Sequence, residues 1–271
     1  MRELDLPALF GRDDAELAAD PAWPAAHVQL LDELEAGRLR AATRGTDGVW
    51  RATTWVKRAI LTGFRRSQVE EMPADAFPFF DKAAYPPREL TLAHGVRLVP
   101  GGSSIRRGAH VAAGVVVMPP AYVNVGAFVD AGTMVDSHAL VGSCAQVGAR
   151  VHLSAGAQIG GVLEPAHKAP VVIEDGVFVG ALCGVFEGFV VRDRAVLAAG
   201  VVLTAATVVH DLVHEREHRG EIPAGAVVVP GSRPASGAWA AQRGLQVAAP
   251  LIVKYRDERT DAATALEWAL R

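Results

Sequence analysis

Asp136 is the first candidate for acid–base chemistry in this sequence, and a second aspartate, Asp130, lies six positions before it. Each directly follows a valine, Val129 or Val135. A positioned carboxylate whose pKa is raised can accept a proton, so Asp136 is a candidate general base. In the competing interpretation Asp136 only caps a turn of the backbone, as Asp130 can. Spacing alone favours the cap, because a fold does not dictate where its site lies.

Histidines suggest further acid–base or metal chemistry. His138 lies two positions after Asp136 and could assist proton transfer, although an exposed turn position is the simpler prediction. His167 lies beside prolines and alanines, where we expect exposure to solvent. Three histidines are spaced four residues apart, namely His210, His214 and His218. On a helix this spacing could form a metal-binding face. Their charged neighbours favour a solvated strand or turn, so we predict no metal site.

Cys144 and Cys183 are the two cysteines of the chain. No base lies near Cys183 in the sequence, so we expect it to pack as a small residue rather than to act as a nucleophile. The pair has no Cys-x-x-Cys spacing and is too small for a disulfide framework. The sequence therefore predicts a reduced, cytoplasmic chain.

An aliphatic ladder with a fixed six-residue period supplies the scaffold for these side chains. Such a strict period is typical of a parallel β-helix, in which each hexapeptide is a short strand plus a turn and three hexapeptides make one triangular coil. The fold class is therefore mainly β. The ladder consists of Val99, Ile105, Val111, Val117, Val123, Val129, Val135, Val141, Val147, Leu153 and Ile159, then Ile173, Val179, Val185, Val191, Leu197, Leu203 and Val209, and finally Ile222 and Val228.

Residues at fixed offsets from the ladder define the inside and the corners of the coils. The residue two positions before a ladder residue is usually small, as at Ala121 and Ala139, and both side chains must point to the interior because strand side chains alternate. The residue three positions after is often glycine, as at Gly108 and Gly126, which suits a corner. Asp136 directly follows Val135, so its side chain should point outward.

Three segments follow from this pattern. Residues 1–98 lack the period and form an N-terminal, mainly helical domain, with amphipathic helices around Val28–Leu39 and Trp55–Phe64. Residues 99–233 form the β-helix, with ejected loops at 160–172 and 211–221 where the ladder is interrupted. Residues 234–271 form a strand from Leu245 and an exposed helix around Ala262–Leu270.

Composition excludes two classes of partner. Net charge is −3, from 27 basic and 30 acidic residues that are mixed along the chain, so we expect no nucleic-acid binding. No apolar run reaches the roughly 18 residues that a membrane span needs, so we expect no membrane partner.

Several motifs resemble the tetrahydrodipicolinate N-succinyltransferase family of hexapeptide-repeat acyltransferases. The resemblance spans nearly the whole chain. It rests on Asp47-Gly-Val-Trp-Arg51, Trp55-Val-Lys-Arg-Ala-Ile-Leu61, Phe80-Asp-Lys82, Gly95-Val-Arg-Leu-Val-Pro100, Met118–Asp136, Val141–Ser154, Ile159-Gly-Gly-Val-Leu-Glu-Pro165 and Ile222-Pro-Ala-Gly-Ala-Val-Val-Val-Pro-Gly-Ser232.

The resemblance implies a left-handed β-helix and a homotrimer with active sites between subunits. It implies transfer of an acyl group from succinyl-coenzyme A to the amine of a small dicarboxylate, in lysine and diaminopimelate biosynthesis, with no tightly bound cofactor. Arg97 matches a substrate-binding arginine, whose planar guanidinium suits a carboxylate. Asp136 matches the acidic residue that contacts the substrate and is the proposed base. No individual residue is assigned to coenzyme A.

The sequence departs from the family pattern at two places. Leu182, Cys183 and Gly184 replace the family's arginine, serine and glutamate, and His138 replaces a tryptophan. The lost arginine leaves a donor carboxylate without its usual partner, which opens a second hypothesis: acetyl-coenzyme A as donor in a specialised, tabtoxin-like pathway. Another basic residue could instead bind the succinyl group. A more distant alternative is a non-catalytic solenoid scaffold.

Overall fold

A computed structural model describes residues 4–72 and 78–256. Its helices are α1 (Leu6–Phe10), α2 (Asp14–Ala19), α3 (Trp23–Glu35), α4 (Thr54–Arg66) and α5 (Ala238–Gln242), with a 3-10 turn at Leu92–His94. Helix α3 ends before the predicted Leu39 because Gly37 adopts a left-handed φ of 73° that leaves the helical path. No helix in the described ranges is long and apolar enough to cross a membrane.

Two antiparallel hairpins accompany the N-terminal helices. Strands β1 (Ala42–Arg44) and β2 (Trp50–Ala52) precede α4, and strands β3 (Val69–Met72) and β4 (Phe79–Lys82) follow it. Helices α3 and α4 bury an apolar cluster that includes Leu30, Leu34 and Ile60.

Short strands then stack into three parallel sheets. In chain order they are β5 (Arg97–Leu98), β6 (Ser104–Ile105), β7 (His110–Val111), β8 (Val116–Val117), β9 (Tyr122–Val123), β10 (Phe128–Val129), β11 (Met134–Val135), β12 (Leu140–Val141), β13 (Gln146–Val147), β14 (His152–Leu153), β15 (Gln158–Ile159), β16 (Val172–Ile173), β17 (Phe178–Val179), β18 (Gly184–Val185), β19 (Val190–Val191), β20 (Val196–Leu197) and β21 (Val202–Leu203).

Every third strand lies on the same face, which makes the solenoid a parallel β-helix with three faces. The first face contains β7, β10, β13, β16 and β19; the second contains β5, β8, β11, β14, β17 and β20; the third contains β6, β9, β12, β15, β18 and β21. Predicted ladder residues from Ile105 onward are buried in the bore, where they form one continuous core. The predicted ladder thus identifies the interior of the solenoid.

The first ladder position is an exception. The sequence predicts Val99 there, but strand β5 ends at Leu98 and pairs Leu98 with Val117. The prediction is wrong by one residue because this terminal coil has an extra residue, in a corner that contains Gly101 and Gly102.

The two predicted interruptions differ in structure. No strand lies between Ile159 and Val172. Regular ladder partners are 18 positions apart, but Val147 pairs with Ile173, which lies farther along the chain than that. This coil therefore carries an extra segment, residues 160–171. The interruption at 211–221, predicted as an ejected loop, forms instead a hairpin of β22 (Val208–Asp211) and β23 (Arg216–Arg219). Antiparallel pairing there satisfies backbone groups that a loop would leave to water.

The last described strands close the top of the second face. They are β24 (Glu221–Ile222) on the first face, then β25 (Ala226–Val229), β26 (Ser232–Pro234), β27 (Gln246–Ala248) and β28 (Leu251–Tyr255). Strand β28 lies between β22 and β25, antiparallel to β25. The predicted helix around Ala262–Leu270 lies outside the described residues.

Two corners of the triangular coil matter for function. We call the corner between the second and third faces the Asp136 edge; it contains His138, Gly156 and Leu182. We call the corner between the third and first faces the helix edge, because Leu31 of α3 packs at Gly108 and Ile60 of α4 packs at Gly126.

Candidate active site

Asp136 lies at the Asp136 edge, directly after strand β11. Its carboxylate is half-buried, and Oδ1 accepts the backbone N–H of Ser137 at 2.7 Å. Asp130 makes the same local bond to Ala131 at 2.7 Å. The capping role is therefore real for both aspartates, and this bond does not distinguish them. In the described ranges no side chain donates to the Asp136 carboxylate, which leaves lone pairs for another molecule.

Arg97 begins strand β5 on the second face and is exposed. The pairing of Arg97 with Val116, and of Val116 with Met134, places it two strands from the strand that Asp136 follows. At about 4.8 Å per strand the two residues are about 10 Å apart along the stack. Within the described part of the chain the guanidinium makes no ion pair. The structure thus places both predicted site residues at the second face without direct contact between them.

His138 occupies the corner next to Asp136. Its φ is 62°, in the left-handed region that favours glycine, and its side chain is exposed. Its carbonyl accepts the side-chain amide of Gln158 at 3.0 Å. These contacts fit the corner position that the sequence predicts, and the imidazole lies two residues from the candidate base.

Leu182 and Cys183 occupy opposite sides of the coil wall. Leu182 is a corner residue of the Asp136 edge and is 74% exposed. Cys183 points into the bore, where Sγ donates to the carbonyl of Ala198 at 3.0 Å and burial raises its pKa to about 11. A buried thiol with a raised pKa is a poor nucleophile, so the small-residue packing predicted for Cys183 fits its environment.

A side chain at Gly184 would have to displace the ring of Phe186, which covers this position. A Cβ added at Gly184 would lie 2.4 Å from the ring, and one added at Gly160 would lie 2.6 Å from it. Sequence reasoning missed Phe186. The sequence does contain a signal for this contact: Gly184 and Phe186 are two positions apart, and residues with that spacing in an extended chain lie on the same side of the sheet. An apolar ring therefore stands where an acidic side chain was expected from the family pattern.

The three spaced histidines lie on a hairpin rather than on a helix. His210 pairs with Glu217 on one side of it, whereas His214 and His218 approach the carboxylate of Asp211 on the other. Among residues 4–72 and 78–256 no three acidic, histidine or cysteine side chains are grouped to hold a metal ion. His167 is exposed within the 160–171 segment.

Asp211 is a fully buried carboxylate at the centre of that hairpin. Oδ2 accepts the hydroxyl of Tyr255 at 2.7 Å and lies 2.9 Å from Nδ1 of His214 and 3.3 Å from Nε2 of His218. Burial works to raise its pKa, but these hydrogen bonds prevail and hold the pKa well below its usual range. We call this group the Asp211 cluster. No sequence pattern predicts this cluster, because its members meet only through the hairpin and β28.

Comparison with known proteins places the chain in a family. A family model for the N-terminal region of tetrahydrodipicolinate N-succinyltransferase matches residues 8–65, and one for the hexapeptide repeat of succinyl-transferase matches residues 170–205. A crystal structure from Campylobacter jejuni assigned to 2,3,4,5-tetrahydropyridine-2-carboxylate N-succinyltransferase has a TM-score of 0.53 at 20% identity, and covers 83% of this chain and 62% of that chain. That likeness supports the fold.

Curated relatives carry the family assignment. The 2,3,4,5-tetrahydropyridine-2,6-dicarboxylate N-succinyltransferase of Albidiferax ferrireducens is 44% identical and covers 89% of this chain and 87% of the relative. The protein of the same name from an Azoarcus species is 45% identical and covers 94% and 92%. With such identity over most of both chains, this chain belongs to the 2,3,4,5-tetrahydropyridine-2,6-dicarboxylate N-succinyltransferase family.

Proposed function

We propose that the chain transfers the succinyl group of succinyl-coenzyme A to the amine of hydrated 2,3,4,5-tetrahydropyridine-2,6-dicarboxylate, in lysine and diaminopimelate biosynthesis. The observation that carries this proposal is the 44–45% identity to relatives of that name over most of their length. The amine nitrogen attacks the thioester carbonyl carbon, a C–N bond forms, and the C–S bond breaks. The amine loses one proton, and coenzyme A leaves as the thiol.

Asp136 is the proposed base for the amine proton. Its Oδ1 is held by the N–H of Ser137, which fixes the carboxylate on the rigid coil, and Oδ2 remains available. A carboxylate with a free lone pair, aimed outward from a rigid element, can accept an N–H of the attacking amine. The imidazole of His138, two residues away, is a second candidate to assist proton transfer.

Arg97 is the proposed partner for a carboxylate of the acceptor. Its guanidinium is exposed and lies on the same face as the strand before Asp136. Charge-assisted hydrogen bonds from arginine to a carboxylate are short and can be bidentate. An acceptor anchored there would extend along the second face toward Asp136.

A homotrimer of left-handed solenoids is the proposed assembly, with each active site between neighbours. Two observations support a partner at this face. Asp136 and Arg97 point away from their own bore, and Leu182 exposes a large apolar side chain at the same edge. Sedimentation of the purified chain tests the trimer.

A cleft near the top of the solenoid is a candidate for part of coenzyme A. It encloses about 340 Å³, and its lining includes Val202, Pro230, Arg233 and Ala248. Val202 is an exposed apolar residue on the third face, and Arg233 supplies a positive charge suited to a phosphate.

The cytoplasmic location is likewise proposed, and the two free, buried cysteines support a reducing compartment.

A second candidate keeps the reaction and changes the donor to acetyl-coenzyme A. The exposed apolar side chain of Leu182 favours it, because the family pattern has an arginine at this position. Leu182 supplies no charge for the terminal carboxylate of a succinyl group. A short, uncharged acyl group suits such a surface better, since an unpaired charge placed there loses hydration.

Release of coenzyme A, followed with a thiol reagent, tests both candidates. The two cysteines of the chain are buried, so the background reaction should be low. Faster release with succinyl-coenzyme A supports the first proposal, and faster release with acetyl-coenzyme A supports the second. No acceptor-dependent release with either donor would contradict both and favour the non-catalytic scaffold.

A further inference from the structure

Lys57 is a buried cation that the proposed reaction does not use. It lies on helix α4, and its side chain is fully buried. Its Nζ donates to the carbonyl of Lys168 at 2.6 Å and to that of Pro165 at 3.4 Å. In the described ranges no carboxylate forms an ion pair with it. Burying an ammonium without an opposite charge is unfavourable, so its two carbonyl contacts need explanation.

Both carbonyls belong to the 160–171 segment, which is seated on the helix edge at its two ends. Near its start, Gly161 lies so close to the preceding coil that an added Cβ would be 2.6 Å from the backbone nitrogen of Ser143. Near its end, the carbonyl of Ala169 lies 2.6 Å from a Cβ built on Gly188. Lys57 contacts the segment between these two points, at Pro165 and at Lys168, which directly precedes Ala169.

The segment forms a wall of two cavities. One, of about 540 Å³, lies between it and helix α4 and is lined by Arg58, Leu61 and Arg65. The other, of about 410 Å³, lies between it and the coils, and Phe186 and Thr204 line its far side. We call the second one the loop cavity. Glu164 and Pro165 line both, so a displacement of the segment changes both.

The charges of the loop cavity favour one of the two substrates. Glu164, which forms an ion pair with Arg65 at 3.9 Å, lines it together with Glu187 and Lys168, so the lining offers no excess of positive charge to a dicarboxylate acceptor. An uncharged chain with amide groups, such as the pantetheine arm of an acyl-coenzyme A, meets apolar surface from Phe186 and Val162 together with backbone polar groups.

We propose that Lys57 is a positioning residue that fixes the 160–171 segment so that the loop cavity can bind the pantetheine arm of coenzyme A. This rests on the proposed function for the identity of the donor. Lys57 itself touches no substrate and acts through the carbonyls of Pro165 and Lys168. The helical domain thereby controls a wall of the site on the β-helix.

Lys57→Met tests the proposal, with calorimetric binding of coenzyme A as the first measurement. Methionine keeps the apolar stem and removes the donor. We expect Kd for coenzyme A to rise about tenfold, because a wall displaced by even 1 Å loses contacts. In turnover, KM for the acyl-coenzyme A should rise by a similar factor while kcat and KM for the acceptor change little. Tryptic cleavage after Lys168, read by mass spectrometry, should accelerate.

Two further variants keep the test decisive. Gly188→Ala displaces the end of the segment without touching Lys57 and should also weaken coenzyme A binding, even if Lys57→Met fails to fold. His167→Ala, in the same segment but exposed, is the matched control and should bind normally. Unchanged Kd in folded Lys57→Met or Gly188→Ala overturns the proposal, as does a wild-type chain that binds no coenzyme A. Normal binding without turnover contradicts the proposed reaction instead.

Discussion

Asp136 and Asp211 both lie where a strand of the second face ends, yet their carboxylates have opposite surroundings. Asp136 is half-buried and accepts one local N–H, whereas Asp211 is fully buried and accepts donors from Tyr255 and from its own turn. A carboxylate whose lone pairs are all satisfied stabilises structure, and one with spare lone pairs can take a substrate proton. We assign the two aspartates different roles on this difference in hydrogen bonding, rather than on residue type or position.

The largest effect should come from Asp136→Asn. The amide keeps the shape and the capping bond but cannot accept a proton, so turnover should fall about 10²–10⁴-fold while stability changes by less than about 1 kcal/mol. Steady-state release of coenzyme A and urea unfolding measure the two quantities. Asp130→Asn, which removes the matching carboxylate at a different edge, is the control and should leave turnover unchanged. Equal turnover in the two variants would remove Asp136 from the mechanism.

Asp211→Asn should show the opposite pattern. Breaking one partner of a buried, charged network costs about 3 kcal/mol, since the amide loses the negative charge and places an NH2 group where Oδ2 accepts the Tyr255 hydroxyl. We expect a lower free energy of unfolding at pH 7 and normal turnover per folded molecule. A variant that unfolds like the wild type but loses activity would reverse our assignment of the two aspartates.

The same residue predicts a dependence on acid. The pKa of Asp211 is lowered in the folded chain, so its carboxylate stabilises the fold above the unfolded-state value of about 4 and loses this contribution as pH falls below it. The stability gap between wild type and Asp211→Asn should therefore be widest near neutrality and narrow below about pH 4. Urea unfolding at a series of pH values measures the gap. A constant gap would mean that the carboxylate charge contributes nothing.

These two aspartates also show what the sequence can and cannot predict. The six-residue period predicts the strands and the bore, and it places Asp136 outward, because side-chain alternation is a local property of each strand. The Asp211 cluster needs Tyr255, which is 44 residues away, to meet the hairpin. Lys57 meets its carbonyls across 108 and 111 positions of sequence. Local periodicity carries no information on such contacts. For the same reason the interruption at 211–221 is predicted as a loop although it forms the hairpin of β22 and β23.

Arg97→Met tests the other predicted site residue of the second face, the proposed partner for a carboxylate of the acceptor. If the guanidinium binds an acceptor carboxylate, KM for the acceptor should rise about 10–100-fold, as expected for the loss of a charge-assisted hydrogen bond. KM for the donor should stay constant. Arg150→Met, at an exposed corner away from the Asp136 edge, is the control for net charge. An increase confined to the donor KM would assign Arg97 to coenzyme A instead.

The smallest effect concerns the apolar surface beside the Asp136 edge. Gly184→Ala should destabilise the fold by about 1–2 kcal/mol, because its Cβ would lie 2.4 Å from the Phe186 ring and overpack the third face. Removing the ring with Phe186→Ala should cancel most of that penalty, so the double variant should resemble Phe186→Ala alone. Urea unfolding of the four proteins gives the coupling energy. The ratio of turnover with succinyl- and acetyl-coenzyme A, measured for wild type and Phe186→Ala, tests the ring itself. A ratio shifted toward succinyl in Phe186→Ala would mean that Phe186 shapes the donor preference, and an unchanged ratio would leave the ring a packing residue.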